Sequence, residues 1–124
     1  MVAPVSGWIQ PVQGSGGSGV PVDIIDVTPN QSNFATGQTT VPTAGTAQNL
    51  AAQAIPNAFS VVIMALPGNQ KNVYIGNSKT AAQAHGSAFV LGPGLFVRYY
   101  ITNTNLVWID TDNNGEGVSW TVEI

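Results

Sequence analysis

The acidic run Asp110-Thr111-Asp112-Asn113-Asn114-Gly115-Glu116 offers the chain's densest set of oxygen ligands. Its alternating side chains match D-x-D-x-N-G, the first half of a calcium loop that wraps a hard cation. The second half is missing, because the twelfth position is Thr121 rather than a bidentate Glu and neither flank has a helical pattern. A hairpin turn with Asn114-Gly115 at positive φ is the plainer reading, and no metal is assigned. His85 is the sole histidine, so any hydrolytic triad would need it, yet no serine stands in a G-x-S-x-G context. It reads as a solvent-exposed loop residue. The other acids, Asp23, Asp26 and Glu123, form no evident pair with one another or with the run for glycoside hydrolysis. There is no G-x-x-x-x-G-K phosphate loop, and the absence of cysteine removes thiolate zinc, a thiol nucleophile and a disulfide framework together. No catalytic residue and no cofactor is expected. Trp108 and Tyr100 could instead act as stacking platforms for sugar rings, although core or interface packing is the commoner use of such residues.

The elements that would carry these residues are strands. Ser60 to Leu66 is apolar on both faces, with Val61, Ile63 and Ala65 on one side and Val62, Met64 and Leu66 on the other. It is expected in the middle of a sheet, joined through the Pro67-Gly68-Asn69 turn to a partner strand over Val73 to Ile75. Its second face then needs a cover, from a loop, the N-terminal segment or another subunit. Val20 to Val27 reads as a short edge strand, Asn30 to Thr46 as an extended segment laid over a surface, and Thr46 to Gln53 as one turn or a short strand. Lys79 to Ser87 reads as a loop or weak edge strand. Leu95 to Thr102 alternates Leu95, Val97, Tyr99 and Ile101 against Phe96, Arg98, Tyr100 and Thr102. Leu106 to Ile109 is the next strand and Asp110 to Gly117 the next turn. In the last strand, Val118, Trp120, Val122 and Ile124 alternate with Ser119, Thr121 and Glu123.

Seven or eight such strands, punctuated by Gly, Pro and Asn, predict an all-β fold: an antiparallel β-sandwich of jelly-roll type over 41–124, preceded by an extended N-terminal arm over 1–40. The 124 residues make one domain's worth of core. Only 7% of residues are charged, and the formal net charge is −3 with Lys71, Lys79 and Arg98 the only cations. There is no basic patch for nucleic acid or anionic lipid. The longest apolar run, Ala58 to Leu66, is far too short to span a membrane as a helix. The N-terminus lacks the pattern of a secretory signal, which points to synthesis in a cytoplasm. Within the arm, Trp8 and Ile9 stand out from a Gly/Ser tract as anchors that would bury themselves in a neighbour.

The order Thr43-Ala44-Gly45-Thr46-Ala47, Ile55-Pro56, Val61-Val62-Ile63-Met64-Ala65, Asn72-Val73-Tyr74-Ile75-Gly76 and Leu91-Gly92-Pro93-Gly94 is followed by Leu106-Val107-Trp108-Ile109 and Val118-Ser119-Trp120. This pattern, over about Gly37 to Ile124, resembles small virion proteins of tailed bacteriophages, which pair a "VYIG" strand with a "PG" turn before a long strand. The resemblance implies a non-enzymatic β-sandwich component of the particle, such as a capsid decoration or cement protein made in the host cytoplasm and placed on the capsid exterior. Low charge and a two-faced apolar strand suit a subunit packed against copies of itself, a trimer for instance, and against a major capsid protein. Trp8, Ile9 and Phe34 are the expected partner contacts. A sugar-binding module or receptor-binding fibre tip is the alternative.

Overall fold

Residues 30–124 are described by a computed structural model, and 31–124 make one compact unit. It contains β1 (Phe34–Thr40), β2 (Gln48–Asn49), β3 (Val61–Ala65), β4 (Val73–Gly76), α1 (Lys79–Gln83), β5 (Phe89–Leu91), β6 (Phe96–Tyr99), β7 (Trp108–Thr111) and β8 (Gly117–Glu123). The strands form two antiparallel four-stranded sheets, in the orders β1-β8-β3-β6 and β2-β7-β4-β5. Four of the pairings join first strand with last and work inward: β1 with β8, β2 with β7, β3 with β6, β4 with β5. Two more, β3 with β8 and β4 with β7, complete the sheets.

Alternation decides which side chains are buried. Val61, Ile63 and Ala65 of β3, Val118, Trp120 and Val122 of β8, Val73 and Ile75 of β4, and Ile109 of β7 join Val41, Leu50, Leu91 and Val107 in a single buried cluster. Each large aliphatic side chain so buried contributes about 1.5–3 kcal/mol of transfer free energy. As its two-faced sequence predicts, β3 is an interior strand.

Several local expectations change. β3 and β4 are not a hairpin but lie in different sheets, and Pro67-Gly68-Asn69 is the crossover between them. Asn69 holds that crossover. Though buried, it donates from Nδ2 to the Gly117 carbonyl at 2.8 Å and accepts from the Gly117 N–H at 3.3 Å. The segment read as laid over a surface contains β1, paired along its whole length with β8, so the folded unit starts at Gln31 rather than at 41. Gly37 and Gly117 permit that close pairing, since a Cβ on Gly117 would overlap the Thr39 backbone and one on Gly37 the Trp120 ring. Thr46 to Gln53 yields the two-residue β2. Lys79 to Gln83, expected as loop or strand, is the helix α1, its first turn capped by the Ser78 hydroxyl accepting from the Ala81 N–H at 3.1 Å. The Val20 to Val27 strand lies outside the described residues.

Candidate functional site

Asp110 and Thr111, read from sequence as part of a turn, are instead the last residues of β7 and fully buried. Register places Asp110 opposite Tyr74 of β4, with Val73, Ile75 and Ile109 pointing the other way into the core. Asp110 and Tyr74 therefore lie on the outward face of the second sheet. α1 packs over that face, against β4 and β7, and can approach because Gly76 has no side chain: a Cβ there would overlap the Ala82 backbone.

The loop after α1 brings His85 down onto the same spot, so the expectation of a solvent-exposed histidine does not hold. Its ring stacks on Tyr74 with centroids 3.7 Å apart and planes within 5°. Its Nε2 lies 2.7 Å from Asp110 Oδ2, and its Nδ1 lies 3.3 Å from Asp112 Oδ1. The second oxygen of Asp110 accepts from the Gly45 N–H at 2.9 Å, which ties the turn after β1 to the cluster. The Tyr74 hydroxyl donates to Asp112 Oδ2 at 2.8 Å; ionising the phenol would lose that bond, and its pKa is raised accordingly.

The rest of the acidic run is likewise committed to the protein's own groups. Asn114 Oδ1 accepts from the Ala44 N–H, while Glu116 accepts from the Gln70 and Lys71 N–H groups and from Asn113 Nδ2. These bonds favour the charged form, led by the Gln70 N–H, and hold the Glu116 carboxyl below its ordinary range. The oxygens point at separate donors rather than at one centre, and Gly115 takes the positive φ of a turn. Among the described residues no group of three or more His, Cys, Asp or Glu is placed to hold a metal ion. The cluster is a latch that seats α1 and the Val41–Thr46 turn on the second sheet.

The first sheet has no such roof within its own unit. Its outward residues fall into rows across the strands. Thr36, Thr121, Val62 and Arg98 form one row, Gln38, Ser119, Met64 and Phe96 the next, and Phe34 with Glu123 begin a third. Phe96 is 65% exposed and Phe34 63%. Between the rows runs a shallow trough of about 720 Å³, lined by Val62, Met64 and Phe96 with Thr36, Gln38 and Thr121 along it. Among the described residues Arg98 and Glu123 are the only charges on this face, and Arg98 donates to the Ser60 hydroxyl at 2.9 Å. A smaller recess of about 430 Å³, lined by Ile75, Tyr99, Ile101 and Leu106, opens between the sheets; burial there raises the Tyr99 pKa.

Of the expected contact residues, Phe34 opens β1 on the uncovered face, while Trp8 and Ile9 lie outside the described residues. The two stacking candidates are not brought together. Trp108 is half-buried at the start of β7 in one sheet, and Tyr100 follows β6 in the other, 72% exposed. The His85 latch has no local signature in the sequence, because its four members are scattered over Tyr74 to Asp112 and are gathered by strand register together with the loop that carries His85. Among the described residues no helix is long and apolar enough to cross a membrane. No family model, no curated protein and no solved structure matches the chain.

Proposed function

We propose that this chain is a jelly-roll sandwich that serves as a non-enzymatic packing subunit of a tailed-bacteriophage particle, a decoration or cement protein on the capsid exterior. The jelly-roll reading is supported by the strand pairs 1·8, 2·7, 3·6 and 4·5, the order produced when one long antiparallel ribbon is rolled so that alternate pairs fall in opposite sheets. The packing reading rests above all on one observation: the outward face of the β1-β8-β3-β6 sheet presents Val62, Met64, Phe96 and Phe34 with a single cation and a single carboxylate. Apolar surface of this extent is stabilised by being covered, and its few charges keep the desolvation cost of covering it small.

In this reading the sheet face packs against other protein of the particle. The segment ahead of β1, with Trp8 and Ile9 as its apolar side chains, reaches the major capsid protein. The test is co-sedimentation of the full chain with particles that lack it. Binding is expected for the parent and strongly reduced for Trp8→Ala/Ile9→Ala and for Phe96→Glu. A parent protein that stays in the supernatant with every capsid tried would remove the reading. A glycan array separates the alternative, since binding lost in Tyr100→Ala or Trp108→Ala with the fold intact would favour a sugar-binding module.

A further inference from the structure

The charges on the uncovered face say what fits it. Arg98 stands on β6 in the row of Val62, and Glu123 stands on β8, two residues along from Thr121 in that same row. β3 lies between them. Among the described residues the only ion pairs are those of His85, so neither Arg98 nor Glu123 has a charged partner there. A face with one charge of each sign and an otherwise apolar and neutral polar surface is complementary to itself, provided each cation meets the other copy's carboxylate.

Building on the packing reading above, we propose that a second copy of this chain covers the face, the two sheets stacked across a two-fold axis that sets each Arg98 opposite Glu123 of the other copy. A patch that meets itself does so across a two-fold, which replaces the trimer expected from sequence with a pair. The axis must pass midway between Arg98 and Glu123. That midpoint falls on β3 beside Val62, so Val62 packs against its own counterpart, with Met64 and Phe96 around it. The face spans four strands and about six residues, on the order of 400 Å² in projection. A standard interface buries about 800 Å² per partner, so the pair is weak in dilute solution and gains strength when copies are held side by side on a particle.

Sedimentation equilibrium of the full chain from about 10 μM to 1 mM tests this, with thermal melts to confirm that each variant folds. The parent is expected to pair within that range. Arg98→Glu and Glu123→Arg should each weaken pairing at least tenfold, and the double exchange Arg98→Glu/Glu123→Arg should restore it to within about threefold of the parent. Because the chain has no cysteine, Val62→Cys supplies one thiol per copy, and a bifunctional thiol reagent matched to the spacing of stacked sheets, about 10 Å, should yield a covalent pair. A parent that is monomeric at 1 mM, a double exchange no better than the single changes, or a Val62→Cys protein that does not cross-link would each overturn the proposal. If particle binding is nevertheless retained and is lost in Phe96→Glu, the pairing alone has failed; if particle binding is absent as well, the packing reading has failed with it.

Discussion

The outward face of the β2-β7-β4-β5 sheet carries Tyr74 and Asp110, and the chain roofs it with its own α1 and His85. The outward face of the β1-β8-β3-β6 sheet carries Val62, Met64 and Phe96, and its own folded unit leaves it open. Burial within the described residues thus runs against side-chain polarity, with polar groups covered and apolar ones left open. The polar face can be roofed because its buried carboxylate is fully partnered, Asp110 taking the Gly45 N–H and the His85 imidazole, while at the exposed rim Asp112 takes the Tyr74 hydroxyl and lies 3.3 Å from the second ring nitrogen. Such a latch holds one geometry and leaves nothing to offer a partner. The bare face offers area, few charges and no internal use for them.

The sharpest way to break the contrast is to unroof the covered face. Gly76→Val sets a branched side chain where α1 must sit, and is expected to cost at least about 3 kcal/mol and lower the melting temperature by more than about 10 °C. Urea and thermal unfolding would register it. A variant as stable as the parent would mean that α1 is a loose cover.

Next comes the latch. Asp110→Ala leaves the Gly45 N–H and His85 Nε2 unpaired at a buried site, at an expected loss of about 2–3 kcal/mol. Asp110→Asn, which keeps one acceptor for Gly45, should lose about half as much. Combining each with His85→Ala in a double-mutant cycle should show strong coupling, and additive losses would disprove a joint latch.

On the bare face, Phe96→Ser should change stability by no more than about 0.5–1 kcal/mol while lowering self-association, a separation that unfolding and light scattering together can read. A large stability loss would instead place Phe96 in the core. The smallest effect expected is at Glu116. Its folded pKa lies below its unfolded one, so its stabilisation is fully present above about pH 4.5 and is lost as pH falls through the lower folded value. Glu116→Gln should therefore flatten the acid limb of the melting-temperature profile and leave the neutral region little changed.

Side-chain alternation was legible in advance wherever one period ran undisturbed. β8 alternates without a break, β3 is apolar on both faces, and β6 separates Val97 and Tyr99 from Phe96 and Arg98, as their patterns require. Where two tendencies competed, the local reading failed. Asp110-Thr111-Asp112 has turn chemistry, yet pairing of Asp110 with Tyr74 and neutralising hydrogen bonds extend β7 through Thr111. Lys79 to Gln83 is too short to form an isolated helix, and packing on Gly76 together with the Ser78 cap supports it. Phe34 to Thr40 lacks a strong apolar period, because β1 meets the core mainly through Ala35 and through Gly37 beneath the Trp120 ring.

By itself the sequence determined a β-protein with an apolar two-sided central strand, few charges and no thiol chemistry, because composition and alternation are properties of neighbours along the chain. Tertiary structure alone decided that β3 and β4 part into different sheets, that His85 joins Tyr74, Asp110 and Asp112, and that Arg98 and Glu123 share a face with Val62 between them. Those relations join residues that strand pairing and loop closure bring together, across separations that no local pattern spans.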